Sequence, residues 1–171
     1  MYIKLKSLKT KSLKKKDIEE ICKLKNKEWK YGLKSQLNFF EKNYHKLDIH
    51  NLIYLKKKLI GYTALRKRLY GIRNNFKKYL LFDTLIIDSK FRKKKLSFQL
   101  MNFNNKVIKK NKKFSFLICK SKMIKFYKKF DWVMLNKNNI RIEDHKFNSN
   151  GMIYNYHGRN IKDKKIKFYF N

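Results

Sequence analysis

The stretch YLLFDTLIIDSKFRKKKLSFQLMNFNNKVI, residues 79–108, decides the fold of this chain. Its first nine residues, Tyr79 to Ile87, are almost continuously apolar, as expected for a strand buried on both faces. After the basic run Lys93 to Lys95, apolar residues recur at helical spacing up to about Lys110. These residues are Leu96, Leu100, Phe103 and Val107. The stretch therefore predicts a buried strand, a basic loop and an amphipathic helix in direct succession.

A second apolar run, Phe114 to Cys119 (FSFLIC), follows the helix and predicts another buried strand. Two buried strands joined by a helix form a βαβ unit, whose strands are expected to be parallel with a right-handed crossover. Around this unit we predict a mixed, mostly antiparallel sheet with about four helices, in one domain covering residues 1–171. The predicted fold class is α/β with a central parallel strand pair.

The remaining elements follow from hydrophobic periodicity and turn residues. Thr10 and Ser12 are candidate caps of the first helix, and Gly71 to Lys77 is predicted to be a polar loop. The other predicted elements are a strand at Tyr2–Leu8, helices around Ile18–Trp29 and Lys34–Tyr44, a hairpin of Asn51–Lys57 with Leu59–Tyr70, a helix carrying Met123 to Phe130, a strand from Trp132, and antiparallel strands at Met152–Tyr156 and Lys165–Phe170.

The net charge of +34 invites a nucleic-acid-binding interpretation, but the composition argues against it. Forty of the 46 basic residues are lysine, and the chain has 18 asparagines and no proline, as an AT-rich genome produces. Nucleic-acid readers use arginine for its two-pronged hydrogen bonding, and arginine is scarce here. Most lysine runs are therefore interpreted as solvated faces and turns.

The two cysteines, Cys22 and Cys119, lie far apart within apolar patterns, so neither a disulfide framework nor a metal site is predicted. No apolar stretch approaches the length of a membrane span, and the N-terminus lacks the apolar core of a signal peptide. We expect a cytoplasmic protein without membrane insertion, either a monomer or a homodimer.

Residues Ile87 to Met101 (IDSKFRKKKLSFQLM) resemble the acetyl-CoA signature of the GNAT superfamily, V-x-P-x-Y-R-G-K-G-I-G. In this register Arg92 matches the signature arginine, and Lys95 and Ser97 replace two glycines. Residues Cys119 to Trp132 (CKSKMIKFYKKFDW) are similar to a second family pattern, A-x-x-x-Y-x-x-x-G-F/W. The resemblance is clearest over residues 59–132, and it implies an acetyl-CoA-dependent N-acetyltransferase with a GNAT-like fold.

The resemblance implies that the strand end, the loop and the helix start bind acetyl-CoA. A helix N-terminus leaves free N–H groups and carries partial positive charge, which suits a pyrophosphate. A side chain at residue 95 either obstructs the phosphate or requires a backbone angle that favours glycine. The implied cofactor-binding residues are Leu85, Ile86, Ile87, Arg92, Lys93, Lys94, Lys95, Leu96, Ser97, Phe98 and Lys120.

Acyl transfer needs a deprotonated amine and a proton for the departing thiolate. The resemblance implies that Tyr127 donates this proton. Asp83 is the candidate base, although a structural carboxylate is the favoured interpretation of this residue. His45 and His50 titrate in the useful range, but lone histidines in polar segments are usually surface residues.

Arg66 and Arg68 share one face of their strand, which we interpret as a solvated face in preference to one that points towards an acidic or sugar-bearing acceptor. The expected acceptor is a primary amine of a small molecule, an amino sugar or a protein, with the first two slightly favoured. Two alternatives remain open at this point: a GNAT-like binding module without catalysis, and a basic nucleic-acid-binding protein.

Overall fold

The computed structural model describes residues 2–73, 75–92, 95–143, 148–157 and 165–170. The predicted helices and strands occur in the predicted order, with an additional short strand at Ile140–Ile142. The helices are α1 Lys15–Glu28, α2 Leu33–Asn43, α3 Leu96–Lys110 and α4 Ile124–Lys128. The strands are β1 Ile3–Lys9, β2 Ile49–Leu55, β3 Lys58–Ile72, β4 Asn75–Ile87, β5 Ser115–Cys119, β6 Val133–Met134, β7 Ile140–Ile142, β8 Asn150–Tyr154 and β9 Ile166–Phe168. The predicted α/β class is confirmed.

The chain divides into two compact units. The first comprises Met1–Arg66 and Thr84–Asn104, and the second comprises Lys67–Asp83 and Asn105–Asn171. Strands β3 and β4 and helix α3 each begin in one unit and continue into the other.

In the first unit the hydrogen-bonded order is β1-β2-β3-β4, and both β1 with β2 and β2 with β3 are antiparallel. Side chains of consecutive strand residues point to opposite faces, so Leu52 and Ile53 join different apolar clusters. Leu52 packs with residues of α1 and α2, whereas Ile53 packs with Leu96 and Leu100 of α3. The unit is therefore an antiparallel sheet with apolar helix faces on both sides.

In the second unit the order is β3-β4-β5-β8-β6, and β9 pairs with both β3 and β7. The predicted parallel pair is confirmed, with Leu80 opposite Ser115 and Leu81 opposite Phe116. The terminal strands pair antiparallel as predicted, β8 with β5 and β6 and β9 with β3. The parallel pairing of β9 with β7 was not predicted. The core of this unit is aromatic, and Phe116 stacks on Phe168 with ring centroids 3.8 Å apart.

The buried face of α3 differs from the predicted one. Leu96 and Leu100 are buried, but Phe103 and Val107 are only partly buried. Two asparagines are buried instead, and each makes side-chain hydrogen bonds to other parts of the chain. The Asn104 Oδ1 atom accepts from Asn51 Nδ2 at 2.9 Å and from Thr63 Oγ1 at 3.0 Å, and Asn105 Nδ2 donates to the Phe130 carbonyl at 3.0 Å.

Two local predictions were wrong. Gly71 to Lys77 is not a loop, because β3 extends to Ile72 and β4 begins at Asn75. The first helix is not capped by Thr10 or Ser12, which form a short 3-10 turn; instead the Lys14 N–H donates to the Asp17 carboxylate at 2.9 Å. Among the described residues, no helix is long and apolar enough to cross a membrane.

Candidate functional site

The implied cofactor strand is the end of β4. Ile86 and Ile87 are buried on opposite faces, each in an apolar cluster of the first unit, and Leu85 is half-buried. The parallel ladder of β4 with β5 comprises only the pairs at Leu80 and Leu81. The backbone of β4 beyond residue 81 is therefore not part of that ladder.

Asp88 follows this strand directly, and sequence reasoning missed it. Its side chain is 2% exposed, and Lys27 Nζ lies 2.8 Å from its Oδ2 atom. Oδ1 accepts the Lys90 N–H at 3.1 Å. Burial alone would raise the pKa of Asp88, but the hydrogen bonds from Lys27 and Lys90 and the charges of Lys27 and Lys58 lower it below its ordinary value. The ionised carboxylate thus joins the end of α1 to the start of the loop.

Arg92 makes a second connection between α1 and the loop. Its Nε donates to the Ile87 carbonyl at 3.2 Å, and its guanidinium forms an ion pair with Glu28 in the last turn of α1. Its side chain is half exposed. The arginine implied as a cofactor contact is therefore also a positioning group for the loop.

Lys95 has a φ of 53°, in the left-handed region that favours glycine. Residue 95 therefore has the backbone angle that the sequence led us to expect, although it is a lysine. Its side chain is exposed. Its carbonyl accepts from the Phe98 N–H at 3.1 Å and the Gln99 N–H at 3.2 Å, which begins α3. The helix therefore starts from a strained residue.

Replacing Lys95 with glycine should stabilise the protein by about 0.5–1 kcal/mol, because a left-handed non-glycine residue costs about 1–2 kcal/mol and glycine loses part of that gain through its unfolded-state entropy. Urea denaturation measures the change. The matched control is Lys106→Gly inside α3, which should destabilise by about 1 kcal/mol. Equal destabilisation by both glycines would contradict a strained Lys95.

The start of α3 offers backbone donors. The first N–H groups of a helix have no intrahelical acceptor, so those of Leu96 and Ser97 have none within α3. The resemblance implies that the Phe98 N–H donates to the phosphate. This N–H already has an acceptor, the Lys95 carbonyl. Leu96 is buried and anchors this end of α3, whereas Ser97 is half-buried. Lys93 and Lys94 lie outside the described residues.

Tyr127 lies on α4 in the second unit and is 7% exposed. Its ring contacts Phe82 edge to face at 6.1 Å and Trp132 at 6.2 Å between centroids. Burial, together with the nearby Cys119 thiol, raises the pKa of Tyr127 above its usual range. The phenol therefore carries its proton at neutral pH. Lys120, at the end of β5, is exposed.

Asp83 was expected on a buried strand, but its side chain is exposed. Its neighbours on β4, Phe82 and Thr84, are buried, because side chains of consecutive strand residues point to opposite faces. The carboxylate therefore needs no buried counter-charge, and it is accessible to solvent.

His50 is not the surface residue that its sequence context indicated, because it is completely buried. Its Nε2 lies 2.9 Å from Thr10 Oγ1 and its Nδ1 lies 2.8 Å from the Tyr62 hydroxyl. Burial, with the nearby charge of Lys25, lowers the pKa of His50 to about 3. The ring is a neutral part of the core, so it does not act as a base. His45 is exposed as expected.

His50 should make the protein acid-sensitive. Its pKa is about 3 when folded and 6.5 in the reference state, so the unfolded state binds the proton first and stability falls as the pH drops below 6.5. Between pH 7 and 5 we expect a loss of about 2 kcal/mol, which denaturation at both pH values measures. His50→Gln should remove this loss and His45→Gln should retain it. The same loss in His50→Gln would contradict this assignment.

Arg66 and Arg68 do not form the solvated face that was favoured, because both are buried. Arg66, in the first unit, lies over the Tyr44 ring with 5.7 Å from Cζ to the centroid. Arg68, in the second unit, donates from Nε to the Phe170 carbonyl at 2.9 Å. Packing on an aromatic ring and backbone hydrogen bonding make this burial tolerable. In the described part of the chain, no group of three or more His, Cys, Asp or Glu residues could hold a metal ion.

Solved structures with a similar fold include N-acetyltransferases. Escherichia coli YhbS, a GNAT family N-acetyltransferase in complex with CoA, matches with a TM-score of 0.70 at 13% identity, covering 99% of this chain and 89% of that one. An N-acetyltransferase from Staphylococcus aureus Mu50 matches at 0.62 and 20% identity, covering 90% and 97%. The PaiA N-acetyltransferase of Thermoplasma acidophilum, in complex with coenzyme A, matches at 0.54 and 19% identity, covering 91% and 100%.

No protein-family model and no curated protein sequence matches the chain. At these identities the structural matches concern the fold. They agree with the mostly antiparallel sheet, the parallel pair of β4 and β5, and the loop between β4 and α3. The chain has the fold of the GNAT-family N-acetyltransferases.

Proposed function

We propose that residues 1–171 act as one N-acetyltransferase domain, which transfers the acetyl group of acetyl-CoA to a primary amine by direct attack. The observation that carries this proposal is the start of α3. Lys95 adopts a glycine-like backbone there, and it is followed by the N–H groups of Leu96 and Ser97, which have no acceptor within α3. Two N-acetyltransferases that share the fold, YhbS and PaiA, were solved with CoA.

The pyrophosphate of acetyl-CoA binds at this helix start in our proposal. The N–H groups of Leu96 and Ser97 donate to it, and the side chains of Arg92 and Lys93 to Lys95 supply positive charge. The pantetheine arm pairs with the backbone of Leu85 to Ile87 as an added strand. This role is supported by the β4–β5 ladder, which ends at Leu81. Lys120 is a further proposed cofactor contact.

The reaction itself assigns one role to each of two side chains. Asp83 accepts a proton from the acceptor ammonium, directly or through water. The neutral amine attacks the thioester carbonyl carbon, a tetrahedral oxyanion forms, and its collapse breaks the carbon–sulfur bond. Tyr127 gives its proton to the departing thiolate, and the second proton, which the attacking nitrogen loses as the amide forms, returns the tyrosinate to the phenol through solvent. The products are the acetamide and free CoA.

Burial of Tyr127 is compatible with this role. A raised pKa makes the phenol a weaker acid, but burial disfavours the charged thiolate as well. The Cys119 thiol, in the same unit as Tyr127, has its pKa raised by burial. Burial of the departing CoA thiolate raises the pKa of its thiol in the same direction as that of Tyr127, so the two shifts partly offset each other in the proton transfer.

Small molecules and amino sugars are the proposed acceptors, ahead of protein amines. The support is the similarity of the stretch FLICKSKMIKFYKKFDW to small-molecule-directed and sugar-directed members of the superfamily. The experiment is a screen of amines with acetyl-CoA that reports free CoA by thiol detection. We expect amine-dependent CoA release by the wild type. Cofactor binding without release on any amine would contradict the enzymatic proposal.

A binding module that keeps the fold but lacks catalysis is the second candidate. The observation that favours it is the pair Lys95 and Ser97, which carry side chains where the resemblance implies glycines. This candidate predicts that acetyl-CoA does not stabilise the protein to heat, whereas the enzyme should gain about 2.7 kcal/mol at 100 times its dissociation constant.

A further inference from the structure

Asn105 is a buried asparagine of α3, in the second unit. Its Nδ2 donates to the Phe130 carbonyl at 3.0 Å, and its Oδ1 accepts from the Trp132 indole N–H at 3.3 Å. A carbonyl only accepts and an indole N–H only donates, so these two partners fix which way the amide points. One side chain thus holds two points of the segment that follows α4.

The segment held by Asn105 packs directly on Tyr127. The Tyr127 carbonyl accepts the Phe130 N–H at 2.9 Å and the Trp132 N–H at 3.4 Å. Asp131, between Phe130 and Trp132, has a φ of 63°, in the left-handed region that non-glycine residues seldom adopt. Contacts from elsewhere in the fold must therefore hold this turn, and the Asn105 amide supplies two of them.

The rings of Trp132, Tyr127 and Phe82 are in mutual contact. The Trp132 centroid lies 6.2 Å from that of Tyr127 and 5.6 Å from that of Phe82, and Phe82 meets Tyr127 edge to face at 6.1 Å. All three residues are buried. In such close packing a displacement of the Trp132 ring shifts the Tyr127 ring as well.

We propose that Asn105 is a positioning residue for acetyl transfer. Its amide fixes Trp132, and Trp132 fixes the Tyr127 phenol that protonates the departing thiolate. The inference rests on the proposed function, because that function gives Tyr127 its role as proton donor. A proton donor acts only within hydrogen-bond reach of its acceptor, and a misplacement of about 1 Å can cost about 100-fold in rate.

The test is Asn105→Ala, which removes both hydrogen bonds and suits a helix, because alanine has the highest helix propensity. We expect kcat to fall about 10-fold, since the phenol is displaced but not lost, with little change in the KM for acetyl-CoA. With an acetyl thioester whose thiolate departs without a proton, most of the loss should disappear. Asn111→Ala is the matched control: it loses a hydrogen bond to the Val107 carbonyl and should keep the wild-type kcat.

A double-mutant cycle separates positioning of Tyr127 from a general effect on stability. If Asn105 acts through Tyr127, Asn105→Ala should cost nothing further in kcat once Tyr127 is replaced by phenylalanine. The same loss in both backgrounds would overturn the proposal. If circular dichroism shows that Asn105→Ala does not fold, Asn105→Ser takes its place with the same expected results, because a single short hydroxyl cannot replace both amide hydrogen bonds.

Fluorine NMR of protein labelled with 3-fluorotyrosine makes the test independent of acetyl transfer. The Tyr127 signal is the one absent from Tyr127→Phe. It should shift or broaden in Asn105→Ala and stay in place in Asn111→Ala. If the wild type transfers no acetyl group to any amine, the proposed function fails. An unmoved Tyr127 signal in Asn105→Ala would overturn the positioning role of Asn105 even in an active enzyme.

Discussion

Replacing Tyr127 with phenylalanine should lower kcat by about 100-fold or more, because positioned general acids contribute about 10²–10⁴-fold. The KM for acetyl-CoA should stay nearly constant, since the ring keeps its contacts with Phe82 and Trp132. Steady-state kinetics on an acceptor found in the amine screen measures both constants.

A substrate whose leaving group needs no proton can distinguish a catalytic role of Tyr127 from a packing role. With an acetyl thioester of a strongly acidic thiol, the thiolate departs without a general acid, so Tyr127→Phe should recover most of its lost rate. Tyr154→Phe is the matched control, because Tyr154 is also buried in the second unit and stacks on Trp132 at 5.5 Å. Unchanged kcat in Tyr127→Phe would assign the residue to the core.

Ser97→Pro should weaken CoA binding by about 10- to 100-fold, because a hydrogen bond to a charged group is worth about 1.5–3 kcal/mol. The substitution removes one N–H at the second position of α3. Proline is tolerated in the first helical turn, where that N–H has no intrahelical acceptor. Calorimetric titration with CoA gives the dissociation constants.

Ser97→Ala is the control, because it removes the hydroxyl and keeps the backbone donor. It should bind CoA like the wild type. Circular dichroism and thermal unfolding of both variants show whether α3 stays folded. Equal affinities for the proline and alanine variants would refute binding through the Ser97 N–H.

The strand, loop and helix of residues 79–108 could be predicted because their signals are local. A nine-residue apolar run has few interpretations other than a buried strand, and apolar residues at helical spacing cannot arise from lysine-rich composition alone. Leu96 and Leu100 are buried as predicted. The replacement of glycine by Lys95 also indicated in advance where backbone strain lies.

The polar core could not be predicted, because its partners are distant in sequence. His50 is buried against Thr10 and Tyr62, from other strands or turns, so neither neighbour is visible in its local pattern. Arg68 depends on a backbone carbonyl 102 residues away. Polar residues are buried when partners satisfy them, and periodicity carries no information about such partners.

Asp88 illustrates the same limit inside the candidate site. An aspartate after a strand is ordinarily a turn residue, and only the fold brings Lys27, 61 residues earlier, within 2.8 Å of it. The attachment of the loop to the end of α1 therefore depends on tertiary structure. The family resemblance identified the loop but not what fixes it.

Calorimetric titration of the wild-type protein with acetyl-CoA tests the central claim most directly. We predict saturable binding of one acetyl-CoA per chain, competed by CoA and weakened by Ser97→Pro. No heat of binding up to millimolar acetyl-CoA, with the protein folded, would contradict a cofactor site at the start of α3.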